Sequence, residues 1–532
     1  MSADALVVGA GPVGLALAIG LSQRGLRVRV VDRKLGPTRE PRAAVIWPRG
    51  AEVLDDLGLD GAIREAANAL SVIHFHSRGR ELGTARLGRL ASRYPCPLLI
   101  EQHVTERLLV ARLAALGIDV EWGTRADDLR CDDDGVTVRL RDPRGRVASA
   151  RAAWVIGCDG AHSVVRERLG IPFVGGATAN LLLQQVDAVP RWRHPACLTH
   201  GHYFLARGVC LGSFPVAEGA YRFFCYTDDP VPQRSGTPSA GEMQALIARV
   251  AGTPELRLDR VTWLSQTCFQ TRYAARLRIG RVLLAGDAAH VWPSLGGHGM
   301  SLGLRGAHNL AWKLAAVQQG EAGEELLDTY EVEERHAVAS FLRLMPYNVV
   351  ERPSGPGGLR AREWLLRLGL RMPGLVSRIE QAVSDLDGHH RDSALSPRHQ
   401  GLAARRDGVR AGGRLPDVEV TAGSGSVRLH ALLAPIGWTL LAPTSVSAAA
   451  WHELRSTLTP WDGCVRLLRV GAATCARRRV VAEGVFILVR PDRHVGLLVQ
   501  HHETAKLRTY LARWLSPALT GSRSRSQQIE AT

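Results

Sequence analysis

Short apolar runs alternate with glycine-rich turns and helical repeats over the first 32 residues. Residues 5–8 form an apolar run that is too short for a helix and is typical of a buried parallel strand. Apolar residues then recur at helical spacing over 15–21 and end near Gly25, and a second apolar run over 28–31 leads to Asp32. The pattern predicts a βαβ unit.

Similar patterns continue along the chain and predict further helices and strands. The segments are a helix over 104–116, a strand over 118–122, a hairpin strand over 136–140, a buried strand over 154–156, a strand over 281–286 and a helix over 301–317. Residues 175–275 instead carry alternating aromatic runs, which predict an antiparallel sheet, and residues 73–76 are a candidate extra strand. Strand-like runs at 437–441 and 485–489 indicate a third unit.

These elements predict an α/β protein with a Rossmann-like domain and an inserted antiparallel β-sheet domain. The expected boundaries are 1–174 with 276–350 for the Rossmann-like domain, 175–275 for the inserted sheet, 351–410 for a helical linker, 411–520 for the third domain and 521–532 for a disordered tail. Residues 72–100 are a candidate addition to the inserted sheet.

Composition narrows the class of protein further. The 532 residues are 45% hydrophobic and 22% charged, which is ordinary for globular domains. The net charge of +16 comes mostly from scattered arginines, with no basic run interleaved with aromatic residues, so we expect no nucleic-acid partner. We predict neither a signal peptide nor a membrane span. The nine cysteines lack CxxC spacing, which indicates a reducing, cytoplasmic location rather than a disulfide framework.

A glycine motif stands between the first strand and the first helix. In Gly9-x-Gly11-x-x-Gly14, the first glycine allows a tight turn, the second lets the backbone approach a pyrophosphate, and the third lets helix and strand pack closely. Asp32 stands at the end of the second strand, where a carboxylate accepts hydrogen bonds from ribose hydroxyls. The motif predicts dinucleotide binding without choosing between NAD and FAD.

Two later motifs favour FAD over NAD. Each follows a predicted strand: residues 157–166 read GCDGAHSVVR, and residues 283–290 read LLAGDAAH. With these motifs the sequence resembles the flavin-dependent aromatic hydroxylases of the para-hydroxybenzoate hydroxylase type. The resemblance implies that the first glycine motif and Asp32 bind the ADP half of FAD. It also implies that Asp159 serves FAD and the nicotinamide, and that Asp287 binds the ribityl chain.

The resemblance extends over most of residues 1–345. It implies a set of cofactor-binding residues: Gly9, Gly11, Pro12, Val13, Gly14, Asp32, Arg33, Arg42, Gln102, Asp159, Gly286, Asp287, Pro293, Gly297, Gly299, Met300 and Ser301. Three residues depart from the family pattern. Ser294 stands in place of a second proline, Ser301 in place of an asparagine, and Gly306 in place of an aspartate. Backbone contacts at 300 and 301 should survive the change from asparagine to serine at 301, because the donor is the backbone amide.

The third unit carries a second resemblance. Gly412-x-Arg414-x-Pro416-Asp417 and the segment 488–492 (LVRPD) are similar to the thioredoxin-like domain of larger hydroxylases, which include enzymes for polyketide intermediates. Because the unit lacks CxxC, we expect a scaffold or oligomer contact, compatible with a homodimer, rather than a disulfide redox role.

Together the resemblances imply an FAD-dependent monooxygenase. NADPH or NADH reduces FAD, O₂ adds as a C4a-hydroperoxyflavin, and an aromatic or phenolic secondary-metabolite intermediate is hydroxylated. Baeyer–Villiger oxygen insertion and a non-catalytic flavin- or ligand-binding role remain alternatives. A flavin-dependent halogenase is disfavoured because no lysine lies between Lys34 and Lys313. We expect a structural role for His290, no metal, and no catalytic side chain that the sequence identifies.

Overall fold

The structure is a computed structural model. It describes residues 3–194, 197–216, 219–227, 236–293, 295–344, 348, 350–397, 409–422, 425–471, 473–475, 478–481 and 483–517. Ser294 and the predicted tail at 521–532 lie outside the described residues.

A parallel sheet organises the N-terminal part of the chain. The N-terminal part contains β1 (Ala3–Val8), α1 (Pro12–Gln23), β2 (Val28–Asp32), β3 (Val45–Ile46), α2 (Pro48–Asp56), α3 (Asp60–Ala66), β4 (Asn68–Ala69), β5 (Val72–Ser77), β6 (Arg80–Arg86), β7 (Leu98–Leu99), α4 (Gln102–Ala115), β8 (Val120–Trp122), β9 (Arg125–Asp132), β10 (Gly135–Arg141), β11 (Val147–Gly157) and α5 (Val164–Arg168). The helix of the predicted βαβ unit begins at Pro12, earlier than the apolar spacing suggested, because proline suits a first helical turn.

The middle of the chain contributes β12 (Phe173–Arg191), β13 (His200–Ala206), β14 (Val209–Pro215), β15 (Tyr221–Thr227), α6 (Ala240–Ala251), β16 (Arg257–Ala274), β17 (Arg278–Ile279), β18 (Val282–Leu284), β19 (His290–Val291), α7 (Gly299–Gln318), α8 (Glu325–Leu344), α9 (Pro356–Leu370) and α10 (Pro373–Val383). The first sheet has the order β17-β18-β11-β1-β2-β8, with β10 and β9 added beside β11. β8, β2, β1, β11 and β18 run parallel. Helices α1 and α7 pack together, with Gly20 against Ala311.

A second eight-stranded sheet has the order β19-β16-β12-β15-β14-β13-β5-β6. It is antiparallel except where β5, from the N-terminal part, pairs in parallel with β13. Strands β12 and β16 are 19 and 18 residues long. At their far ends Ala274 donates a backbone hydrogen bond to Ala289, beside the first sheet. The predicted α/β class with an inserted, mostly antiparallel sheet is confirmed.

The C-terminal part forms its own sheet. Its elements are β20 (Glu419–Ala422), β21 (Gly425–Arg428), α11 (Leu429–Leu432), β22 (Trp438–Pro443), α12 (Ala448–Leu458), β23 (Val465–Val470), β24 (Ala473–Cys475), β25 (Arg478–Val481), β26 (Val485–Val489), β27 (Val495–Gln500) and α13 (Thr504–Trp514). The strand order is β23-β22-β26-β27, with β22 and β23 parallel and the β26–β27 hairpin antiparallel. This β-α-β unit followed by a hairpin and a helix is the predicted thioredoxin-like arrangement.

A buried ionic network joins this unit to helices α7 and α8. Arg490 lies 2.7 Å from Glu333 and 2.6 Å from Asp492, and Lys313 lies 2.7 Å from Glu333. Burial alone would raise the pKa of Glu333, but Arg490 and Lys313 outweigh it and hold this pKa well below its ordinary value. The indole nitrogen of Trp312 donates to Asp492. Removing one partner would leave a buried charge uncompensated, which is strongly destabilising. The network therefore fixes the position of the C-terminal unit.

None of the described helices is long and apolar enough to cross a membrane.

Candidate active site

A single cavity of about 930 Å³ runs from the turn between β1 and α1 to the aromatic face of the second sheet. Most of the predicted cofactor-binding residues line it: Gly9, Gly11, Pro12, Val13, Asp32, Arg33, Arg42, Gln102, Asp159, Asp287, Gly297, Gly299 and Met300. Gly14, Gly286, Pro293 and Ser301 are not among the lining residues that the structure describes. The cavity therefore brings together residues that are far apart in sequence.

The three glycines of the first motif have different structural roles. Gly9 has φ +109°, and a Cβ atom there would lie 2.3 Å from the carbonyl oxygen of Cys158. A Cβ atom on Gly14 would lie 2.0 Å from the carbonyl oxygen of Gly9. Gly11 has no atom within 4 Å of its would-be Cβ, so its open side faces the cavity. No side chain caps the N-terminus of α1, which leaves its first amides available to an anion.

Asp32 is fixed at the end of β2 by backbone amides. Its carboxylate accepts hydrogen bonds from the amides of Ala10, at 2.6 Å, and Lys34, at 2.8 Å. These contacts hold the carboxylate in the cavity wall, where its remaining lone pairs can accept ribose hydroxyls. Lys34 and Arg125 also line the cavity, which the sequence analysis did not anticipate.

Two further predicted residues, Arg42 and Gln102, line the same cavity. Arg42 has φ +38°, and its carbonyl accepts a hydrogen bond from Arg222. Arg222 is buried and forms a two-point ion pair with Asp187, at 2.6 Å. Gln102 begins α4, and its side-chain amide donates to Glu106 at 2.9 Å. The Asp187–Arg222 pair thus fastens the segment around Arg42 to the second sheet.

The two predicted carboxylates have different surroundings. Asp159 caps helix α5: it accepts the hydroxyl of Ser163 at 2.5 Å and the amide of Val164 at 2.7 Å. Asp287 lines the cavity, and its side chain is exposed there. Burial raises the pKa of Asp287, while His290 and Arg42 oppose the rise. Among the described residues, Asp287 therefore has no hydrogen-bond partner, whereas Asp159 accepts hydrogen bonds from the turn before α5.

The loop before α7 forms a narrow turn. Gly296 and Gly297 have φ +75° and +68°, a conformation that strongly favours glycine. The indole nitrogen of Trp47 donates to the carbonyl of Gly296 at 2.8 Å, and the Trp47 ring stacks on His298. The amide of Gly296 donates to the carboxylate of Glu351.

The other residues of this region hold the turn in place. Ser301 is buried, and its hydroxyl accepts the amide of Trp47 at 3.0 Å. Gly286 packs against Val13, where a Cβ atom would be crowded, and Pro293 is buried. They support the cavity without lining it.

The departure at Gly306 has a physical explanation. A Cβ atom there would lie 2.6 Å from a carboxylate oxygen of Glu334. Glu334 in turn lies 3.0 Å from Nε2 of His290, and both side chains are buried. A buried carboxylate from α8 therefore occupies the space beside Gly306 and holds His290 against Trp292.

Aromatic side chains of the second sheet line the far end of the cavity. They are Tyr203, Phe214, Phe224, Tyr226, Trp263 and Phe269. The rings of Phe214 and Phe224 stack at 5.4 Å, and Tyr203 meets both edge-on. Stacked rings of this kind form a flat apolar surface that suits an aromatic ligand.

Glu351 is the functional candidate that the sequence did not reveal. It lines the cavity, although only 3% of it is exposed. Its carboxylate accepts the hydroxyl of Tyr203 at 2.7 Å, the amide of Gly296 at 2.5 Å and the side-chain amide of Asn348 at 3.0 Å. Burial raises the pKa of Glu351, and these hydrogen bonds oppose the rise. The residue follows α8 in a region assigned to a linker, so no local pattern pointed to it.

Comparison with known proteins agrees with this geometry. Residues 2–343 match the family model described as an FAD binding domain, and residues 409–518 match the model described as aromatic-ring hydroxylase, C-terminal. The chain belongs to the FAD-dependent aromatic-ring hydroxylases. It is therefore an enzyme with FAD as its cofactor.

Individual relatives lie in the same class. A 6-methylpretetramide 4-monooxygenase from Streptomyces rimosus is 36% identical over 74% of this chain and 70% of its own length. The structure of the anhydrotetracycline hydroxylase OxyS from Streptomyces rimosus has a TM-score of 0.77 and 30% identity, covering 97% of this chain and all of the other. The structure of an aklavinone-11 hydroxylase with FAD and aklavinone has a TM-score of 0.72 and 27% identity, covering 96% and 98% of the two chains.

The cavity fits FAD in this hydroxylase. The open side of Gly11 and the uncapped α1 suit the pyrophosphate, the free acceptors of Asp32 suit a ribose, and Asp287 suits a polyol chain. These assignments rest on donor chemistry and on the space that the residues leave.

Replacing Gly11 with alanine tests the pyrophosphate assignment. The methyl group meets no protein atom within 4 Å, so the Gly11→Ala variant should fold, but the methyl occupies space that the cofactor needs. We expect FAD affinity to fall by about tenfold to a hundredfold, or about 1.4–2.7 kcal/mol. Flavin fluorescence titration of the apoprotein measures this change. Gly241→Ala, also in open space but in α6, should bind like the wild type, and equal affinity for all three proteins would refute the assignment.

Proposed function

We propose that the protein hydroxylates a polycyclic aromatic or phenolic intermediate of secondary metabolism, using NAD(P)H and O₂. The observation that carries the proposal is the continuity of the cavity: the dinucleotide pocket and the aromatic wall are two ends of one space. The relatives named for 6-methylpretetramide, anhydrotetracycline and aklavinone support a polycyclic substrate. The balanced reaction consumes substrate, O₂, NAD(P)H and a proton, and gives hydroxylated product, water and NAD(P)⁺.

The protein supplies binding, orientation and proton handling. Bound FAD would supply the redox chemistry, taking hydride from NAD(P)H and activating O₂ for transfer of one oxygen atom. Phe214 and Phe224 hold the flat substrate, and the buried rings of Phe214, Tyr226 and Phe269 help to keep water from the reacting atoms. The hydroperoxide route implied by the resemblance stays a prediction, as do the homodimer and the cytoplasmic location.

Glu351 and Tyr203 supply a route for the phenol proton. The Tyr203 hydroxyl donates to Glu351, so its oxygen can accept a hydrogen bond from a substrate hydroxyl in the cavity. A proton leaving the substrate then arrives at the Tyr203 oxygen while the Tyr203 proton passes to Glu351. Loss of this proton makes the ring more electron-rich and a better acceptor of electrophilic oxygen. The buried carboxyl, with its raised pKa, is suited to hold the proton.

We also propose the predicted division of labour along the chain. Residues 1–174 and 276–350 would bind FAD, 175–275 would form most of the substrate wall, and 411–520 would act as a scaffold. The cofactor roles assigned to the predicted residues are part of this proposal. Its support is that these residues line or directly brace one cavity.

Product analysis tests the proposal. The FAD-loaded protein is mixed with NAD(P)H, ¹⁸O₂ and a panel of polycyclic phenols and simple benzoates. We expect substrate-stimulated NAD(P)H oxidation and a polycyclic product with one labelled hydroxyl oxygen. A ring-expanded, labelled ester would replace hydroxylation with Baeyer–Villiger insertion. Turnover of benzoates alone would reject the polycyclic substrate class, and FAD binding without substrate-stimulated oxidation would reject the oxygenase function.

A further inference from the structure

Histidines cover one region of the second sheet, on the side away from the cavity. His74 and His76 alternate along β5, and His200 and His202 alternate along β13, so all four share one face. The two strands pair in parallel, with His202 beside His74. Tyr203, between the histidines of β13, points to the opposite face and lines the cavity. His194, just after β12, lies against the histidine face.

We propose that His76, His194 and His202 bind a divalent zinc ion. Each imidazole offers one nitrogen, and the three ligand atoms lie within 4.8 Å of one another. Nε2 of His76 and Nδ1 of His202 are 3.1 Å apart. Zinc takes imidazole nitrogens at about 2.0–2.1 Å, and a tetrahedral site therefore places two of them about 3.3 Å apart. The observed separation is close to this value.

The protonation states suit a metal ligand. Burial, together with the neighbouring imidazoles, lowers the pKa of His76 and of His202 to about 3. Burial also lowers the pKa of His194. All three rings are therefore neutral at pH 7, and a metal need not displace a proton from them.

His194 supplies an independent observation. Its Nε2 atom is buried without a hydrogen-bond partner among the described residues, which is costly unless a ligand satisfies it. The His194 residue as a whole is half-buried, which leaves an entry path for an ion. A metal at this position would tie the chain after β12 to β5 and β13. A solvent molecule would complete a three-histidine zinc site.

The charges around the triad are mixed. Arg193 lies near His76 and His194, but its guanidinium is directed at the carbonyls of Gly79 and Ala251, at 3.3 and 3.5 Å. Glu81 and Glu255 face His194 and favour a positive charge there. The surroundings therefore allow a dication.

Two other histidine groups are less suited to zinc. The outer pair, His74 and His200, is 3.0 Å apart, but no third ligand completes a site around it among the described residues. His390, Asp492 and His494 also lie close together, yet Asp492 is already paired with Arg490 at 2.6 Å. A guanidinium so near would repel a dication.

A zinc titration tests the proposal. The FAD-loaded protein, prepared without a histidine tag and stripped by a chelator, is titrated with Zn²⁺ in an isothermal calorimeter. We expect one equivalent to bind to the wild type and the affinity of His194→Ala to fall by more than about 100-fold. His200→Ala, a histidine replacement on the same face, should bind like the wild type. Zinc should also raise the melting temperature of the wild type and leave that of His194→Ala unchanged.

X-ray absorption of the zinc-loaded wild type provides a test that needs no variant. Three imidazole ligands at about 2.0–2.1 Å are expected. Absence of one-equivalent binding, or fewer than three imidazoles, would overturn the proposal. Loss of binding in His200→Ala with retention in His194→Ala would move the ion to the outer pair and overturn it as well.

Discussion

The Glu351→Gln variant should retain FAD and lose about 100-fold to 10,000-fold in kcat for hydroxylation of a phenolic substrate. Glutamine keeps the size of the side chain and can still accept the hydroxyl of Tyr203, so the cavity keeps its shape. It cannot take up the proton that leaves the substrate. Single-turnover measurements of product formation, with FAD content determined in parallel, separate the chemical step from cofactor loss.

The pH dependence distinguishes proton transfer from a structural role. Burial raises the pKa of Glu351, so the active carboxylate form is present above that raised value and is lost as the pH falls through it. We therefore expect kcat of the wild type to fall at acidic pH, and we expect no such fall in Glu351→Gln. The difference between the two proteins should shrink at alkaline pH, where the phenol ionises without a base.

A tyrosine pair completes the test of the proton route. Tyr203→Phe removes the hydroxyl that donates to Glu351, and it should lower kcat as Glu351→Gln does. Tyr221→Phe removes a hydroxyl whose hydrogen-bond partner among the described residues is the backbone of Cys197, away from the cavity, and this variant should leave kcat unchanged. Equal kcat and equal pH profiles for wild type and Glu351→Gln would remove Glu351 from the mechanism.

The Arg490→Met variant should lose about 3–5 kcal/mol in free energy of unfolding. Methionine fills similar space but leaves Glu333 and Asp492, both fully buried, without their principal cation. The C-terminal unit should then separate from α7 and α8 more readily. Urea unfolding followed by circular dichroism and tryptophan fluorescence measures the loss, since Trp312 donates to Asp492 within the network.

Arg508 provides the matched control, because it is an exposed arginine on α13 of the same unit. Arg508→Met should change the free energy of unfolding by no more than about 0.5 kcal/mol. If Arg490→Met proved as stable as Arg508→Met, the network would not be what holds the C-terminal unit in place.

Local patterns in the sequence predicted the βαβ unit and the first glycine motif because their physical causes are local. The turn at Gly9, the close packing at Gly14 and the acid at the end of β2 depend on neighbours within about one supersecondary unit. Helix ends were less certain: α1 begins at Pro12 and α7 at Gly299, before the first apolar residues of each pattern. A capping turn carries little hydrophobic signal.

Contacts between distant segments could not be read from local patterns. His76 and His202 are 126 residues apart and meet only because β5 joins the second sheet beside β13. Glu351 lies in a stretch rich in proline, glycine and arginine, and its importance comes from Tyr203 and Gly296. The same holds for Arg222, whose partners are Asp187 and the carbonyl of Arg42.

The long strands β12 and β16 have a mechanical consequence. They pair along nearly their whole length, from the substrate wall to Phe173 and Ala274 beside the first sheet. Because the ladder joins two strands of the same sheet, the aromatic wall and the ends of both strands beside the first sheet form one rigid unit. Strain applied at the aromatic wall is transmitted along the ladder to His290, which pairs with Tyr273 at its end and stands three residues from Asp287.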